Sequence, residues 1–209
     1  MDIEEKNRKK RNKRINRNKL IGRILIIFSV ITFLILSTIL IIEIINMKNV
    51  EKRDNELIEI YEENKENEEK LKEYSIRALL KIPKVNIKEL IYDNNNYLYD
   101  DLEQGIVVYN IYDNLSHEKN NMSVILGHNS GLRTKKVFLQ LEKLDINDEF
   151  EIEFEGKLYK YNIENRYVVD PKSDGPFERE EDKNKVYLFT CYPYPINNKR
   201  LILEGVRID

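Results

Sequence analysis

The chain holds one cysteine, no tryptophan and two histidines in 209 residues. A lone thiol, Cys191, excludes an intramolecular disulfide, so whatever folds here is held by burial rather than by staples. That leaves Cys191 as either core filler or nucleophile. The lack of tryptophan excludes little, because 13 tyrosines and 7 phenylalanines supply aromatic bulk. Charge is missing altogether from Ile24 to Ile42, a run of Ile, Leu, Phe and Val with a few Ser and Thr. As a helix it covers roughly 28 Å, near the thickness of a bilayer's hydrocarbon core. No polar face interrupts it, which excludes an ordinary buried helix. No small-residue cleavage site follows at Asn46-Met47-Lys48, so a retained anchor is expected rather than a removed signal peptide.

Charge orients that span. Met1 to Arg23 carries ten Lys or Arg against three Asp or Glu, and positive flanks stay inside, so the N-terminus is expected in the cytoplasm and the C-terminus outside. The whole chain is formally −2, which leaves −9 beyond the basic arm, and nucleic acid is not an expected partner. The expected division is a cytoplasmic arm over 1–23, a transmembrane helix over 24–45, a charged helical stalk over 46–75 and one exported domain over 76–209. Within the stalk, Glu51 to Tyr74 has neither Gly nor Pro, and pairs such as Glu66/Lys70 and Glu68/Lys72 suit a solvated helix. Its thin stripe of Leu57, Ile58, Tyr61 and Leu71 leaves open that it packs instead on the domain or on a partner.

From Ala78 onward, short apolar or alternating runs replace the helical texture. Eight strands are expected, at Ala78–Ile82, Ile87–Tyr92, Ile106–Tyr109, Ser123–Leu126, Phe150–Phe154, Leu158–Val169, Val186–Thr190 and Leu201–Ile208. Glu155-Gly156-Lys157 reads as a hairpin turn, and Thr134–Leu144 as the one internal helix, its Val137, Phe138, Leu141 and Leu144 packing inward. The expected fold is all-β with a minor helix, a closed eight-stranded barrel, since closure removes exposed edges.

Leu188-Phe189-Thr190-Cys191-Tyr192-Pro193-Tyr194-Pro195-Ile196-Asn197-Asn198-Lys199-Arg200-Leu201 resembles the signature of sortases, TLxTC followed by an arginine on the next strand. Val124-Ile125-Leu126-Gly127-His128, then Val137-Phe138, Leu141 and Leu144, resembles the family's strand ending in Gly-His and its short F-x-x-L-x-x-L helix. The opening strands, Leu80-Lys81-Ile82-Pro83-Lys84-Val85 and Leu90-Ile91-Tyr92, are similar as well. The resemblance spans about Leu79 to Ile208. It implies a sortase-type barrel behind a membrane anchor, with Cys191 as nucleophile, His128 as acid and base, and Arg200 on the oxyanion or substrate backbone. Thr190, Tyr192 and Asn129 are expected to touch substrate. The implied partners are secreted surface proteins or pilins with an LPxTG-like sorting signal, and a cell-wall peptide or lysine amine as acceptor.

Departures from the family pattern bear on subclass. Cys-x-Pro-Tyr-x-Ile-Asn-x-x-Arg-Leu is most similar to the pilin-polymerising class, yet no Asp-Pro lid motif precedes Leu80 and no second span is seen before Asp209. Tyr187 stands where TLxTC opens with threonine, and its side chain is expected to face away from the nucleophile. No metal site is expected. The acidic group Glu178, Glu180, Glu181 and Asp182 lies in a loop, 170–185, through which some sortases bind calcium, but it lacks EF-hand spacing. Two other readings stay open, a cysteine endopeptidase using water and a non-catalytic binding barrel. His117, the other histidine, has no apolar strand leading into it.

Overall fold

A computed structural model describes residues 3–93, 102, 105–109, 112–130 and 135–209. Compact packing divides the chain at Glu56/Leu57, into a purely helical first unit and a second unit that holds the barrel. The first helix, α1 (Ile3–Asn64), contains the apolar run and is long and apolar enough to cross a membrane. Three hydroxyls in the apolar run bond back to the helix's own carbonyls. Thr32 Oγ1 donates to Phe28 O at 3.1 Å, Ser37 Oγ to Leu34 O at 2.8 Å and Thr38 Oγ1 to Ile35 O at 2.7 Å.

The second unit is a closed barrel of eight strands: β1 (Ile76–Ile82), β2 (Ile87–Tyr92), β3 (Ile106–Val108), β4 (Asn121–Gly127), β5 (Glu149–Phe154), β6 (Lys157–Val169), β7 (Asn184–Tyr192) and β8 (Lys199–Arg207). Their order around the barrel is β1-β2-β3-β4-β7-β8-β6-β5. Only β2·β3 and β4·β7 run parallel. All eight expected strands are present, with ends shifted by up to two residues. Phe154 pairs with Lys157, so the hairpin turn is Glu155-Gly156 alone, with φ of 52° and 70°. Two central residues at positive φ give the twist that a hairpin requires, and glycine adopts it without strain.

The interior is filled from alternating positions, including Leu80, Ile125, Phe150, Tyr161, Leu188 and Leu203. Gly205 is needed there, because a Cβ would come within 2.3 Å of the Phe150 ring. The expected internal helix is present as a 3-10 helix over Val137–Lys143. Seven residues in that tighter winding still bury Val137, Phe138 and Leu141, and the chain is extended again at Leu144.

For the charged segment beyond the apolar run, the packed alternative describes its barrel-side part. Tyr61 is fully buried and Leu71, on α2 (Glu68–Glu73), nearly so, in a cluster with Ile76, Leu79, Leu90 and Val107 on the outer face of β1–β3. Tyr61 donates its hydroxyl to Glu153 O at 2.6 Å. Lys65 and Lys81 clamp the Glu153 carboxylate at 2.9 and 2.7 Å. Burial alone would raise the Glu153 pKa, but the two lysine hydrogen bonds outweigh it and hold the group below the usual carboxylate range.

Candidate active site

The parallel ladder of β4 with β7 pairs Leu126 with Phe189, so the residues that follow leave the barrel side by side: Gly127-His128 on one strand and Thr190-Cys191 on the other. Thr190 Oγ1 donates to Gly127 O at 2.7 Å and locks that register. On its other edge β7 pairs with β8, and Cys191 stands opposite Arg200. Alternation fixes the faces. Leu188 and Leu201 point into the barrel, whereas Tyr187, Phe189 and Ile202 pack outside, so Cys191 and Arg200 share the outer face. His128 follows directly on the end of β4, next to the Thr190-Cys191 end of β7.

Gly127 makes this possible. A Cβ there would lie 2.6 Å from the Phe138 ring and 2.7 Å from Ile106, so the 3-10 helix closes directly over the strand end. Phe138 N donates to His128 O at 2.9 Å, holding the histidine's backbone from behind. Cys191 is a free, half-buried thiol, and His128 and Arg200 are half-buried as well. Arg200 Nη1 donates to Asn197 O at 3.3 Å and to Lys199 O at 2.9 Å.

The other expected site residues are placed differently. Thr190 is 3% exposed with its hydroxyl given to Gly127, and Asn129 is 4% exposed with its amide given to the Cys191 carbonyl. Both face protein rather than the open surface. Tyr192 is half-buried against the interior cluster, with the Arg166 guanidinium 5.7 Å from its ring centre. His117 lies at the far end of the barrel, where its carbonyl accepts from Arg207 at 2.8 Å. Along β8 that is seven residues from Arg200, roughly 23 Å.

Tyr187 does not face away from the nucleophile as expected. Residues four apart on a strand share a face, and Tyr187 lies outside with Phe189 and Cys191. It exchanges long hydrogen bonds with Glu178, at 3.4 Å from the amide and 3.3 Å to the carbonyl, and the Phe177 ring stands edge-on 5.2 Å from it. The loop after β6 is thereby fastened over the outer face. Beside it lies a cavity of about 290 Å³, lined by Asn165, Tyr167, Glu178, Lys185, Tyr187 and Glu204 among others. Lys185 bridges Glu180 and Glu204 there, the latter at 2.8 Å. Burial works against the Lys185 charge, but the hydrogen bonds with both carboxylates outweigh it and raise its pKa. Burial, aided by the Glu204 carboxylate, pushes the Tyr167 hydroxyl up to about 12.

Two of these loop carboxylates are already paired with lysines. Glu180 is held by Lys183 and Lys185, Asp182 pairs with Lys119 at 3.8 Å, and no group of three or more metal-ligating side chains converges among the described residues.

The family profile described as the sortase domain matches residues 80–208. The chain belongs to the sortase family. Sortase D of Bacillus subtilis (strain 168) is 28% identical over 134 residues. The match covers 63% of this chain and 63% of that protein, less than two thirds of the relative's length. Among solved structures, a lid mutant of Sortase A from Corynebacterium diphtheriae matches with a TM-score of 0.59 at 28% identity, over 64% of this chain and 70% of that one. Sortase C-1 from Actinomyces oris matches with a TM-score of 0.61 at 26% identity, over 67% and 78%. The chain thus resembles sortases named A, C and D, and further C sortases match at 25–27% identity.

Two residues at the sortase site escaped the sequence reading. Asn197 Nδ2 donates to Ser130 Oγ at 2.6 Å, across 67 positions. The only available signal was Asn197's place in the motif before Arg200.

Proposed function

We propose that this sortase is a membrane-anchored cysteine transpeptidase. It cleaves an LPxTG-like sorting signal of secreted surface proteins and passes the acyl group to an amine, from a cell-wall peptide or a pilin lysine. What supports this reading is that Cys191 stands opposite Arg200 on β7 and β8 while His128 follows the end of β4, the strand on the other side of β7.

Cys191, as thiolate, attacks the threonine carbonyl carbon and forms a C–S bond. An ordinary thiol titrates near 8.5, so only a few per cent is ionised at pH 7, and a neighbouring imidazolium raises that fraction. Arg200 engages backbone carbonyls through Nη1, which leaves its Nε and Nη2 hydrogens to hold the oxyanion. The C–N bond to the following residue then breaks, and His128 gives its proton to the leaving amine. The acceptor amine next attacks the thioester, loses a proton to His128 and frees the Cys191 thiolate. The excess of positive charge before the span supports a cytoplasmic N-terminus and an extracellular barrel.

Intact mass of the full chain in detergent micelles, incubated with Leu-Pro-x-Thr-Gly-type peptides, tests this. An acyl adduct on Cys191 that hydroxylamine removes as a hydroxamate is expected. A folded protein with alkylatable Cys191 that forms no adduct with any such peptide would contradict it.

A further inference from the structure

The three proposed catalytic groups come from three strand ends, and two asparagines tie those ends together. The rungs of the β4·β7 ladder stop at Leu126 and Phe189, short of Cys191. Asn129 supplies the missing rung with a side chain, its Nδ2 donating to the carbonyl of Cys191. β4 is thereby released to turn at His128 while β7 continues through the cysteine. Asn197 works from the other side. Its Nδ2 bonds Ser130, two residues past His128, and its backbone carbonyl accepts Arg200 Nη1. Asn197 sits at φ 57°, a left-handed conformation that asparagine tolerates better than most residues.

Neither amide is placed to satisfy itself. The Oδ1 atoms of Asn129 and Asn197 are both buried without a hydrogen-bond partner, against the rule that buried acceptors are paired. Packing alone would be served better by an apolar side chain. What both residues retain is one N–H aimed across a gap between elements that carry reacting groups.

We propose that Asn129 and Asn197 are positioning residues that hold His128, Cys191 and Arg200 in mutual register, Asn129 through the Cys191 carbonyl and Asn197 through Ser130 and Arg200. This rests on the transpeptidase reading above. Neither asparagine touches the reacting atoms. A misplacement of about 1 Å at a catalytic group costs on the order of 100-fold in rate, so loss of either tie appears in kcat rather than in KM.

The test uses the full chain in micelles, with Asn129→Ala and Asn197→Gly, the second keeping the left-handed backbone while deleting the amide. Three quantities are read: kcat and KM with a sorting-signal peptide, the pH profile of Cys191 alkylation by iodoacetamide, and the melting temperature. Expected is a fall in kcat of about 10- to 100-fold with KM within threefold. A change in the alkylation profile should accompany it, in proteins that melt close to the parent. Folded variants with parental kcat and an unchanged profile overturn the proposal. If the parent itself transfers no peptide, the transpeptidase reading fails, and the alkylation profile still decides whether the asparagines govern the thiol's surroundings.

Discussion

The two outer faces of the barrel are finished in opposite ways. Over β1–β3, Tyr61 and Leu71 cover Leu79, Leu90 and Val107, and every polar group that Tyr61 brings in has a partner. Over β7 and β8, the surface carries a half-buried thiol, an arginine with unused donors and two asparagines with unpaired oxygens nearby. One wall is sealed and contributes stability. The other holds two of the three buried side-chain atoms without a hydrogen-bond partner among the described residues, the third being Arg77 Nε on β1.

That contrast predicts that substitutions on the open face change rate while those on the sealed face change stability. The largest effect is expected for Cys191→Ala. Peptide transfer should fall by at least about 10⁴-fold, with a stability change under about 1 kcal/mol because the side chain is only half-buried. Steady-state kinetics with chemical denaturation checks both. Arg200→Ala should cost about 10²- to 10³-fold in the same assay, as for loss of an oxyanion donor.

On the sealed face, Tyr61→Ala should destabilise by about 3–5 kcal/mol in urea unfolding of the second unit, leaving kcat unchanged. A large loss of transfer in folded protein would break the comparison. Glu153→Gln comes next, at about 2 kcal/mol near neutral pH, through loss of charge-assisted bonds to Lys65 and Lys81. Its pH dependence follows from the lowered pKa. The unfolded state binds the proton first on acidification, so the stabilisation is complete above about pH 5 and lost as pH falls through the folded value. The difference between parent and variant should therefore shrink as pH falls below about 5. A difference that widens on acidification would count against the assignment. Smallest is Tyr187→Phe, under about 1 kcal/mol, because both of its bonds to Glu178 are long. Faster amide exchange at Glu178 would mark the loosened loop.

Much of this was legible in the sequence. Strand periodicity located β1 to β8 because alternating burial leaves a local trace. Cys191, His128 and Arg200 were legible as a candidate set because each ends or begins an apolar run in a motif. The roles of Thr190 and Asn129 were not. Their partners, Gly127 and Cys191, lie 63 and 62 positions away, and nothing in the local pattern distinguishes a polar side chain that meets substrate from one that meets backbone. Tyr187 was read onto the wrong face although the period of two already fixes it, since 187, 189 and 191 share a side.

The sequence by itself determined an apolar run long enough to cross a bilayer, eight strands and the residues able to perform thiol chemistry, because hydrophobic period and residue type are local properties. Only the tertiary structure decided the rest. It set the strand order that brings β4 and β8 to either side of β7, the docking of Tyr61 on β1–β3 and the asparagine ties around Cys191. Each of these rests on contacts between distant positions, which form only when the barrel closes.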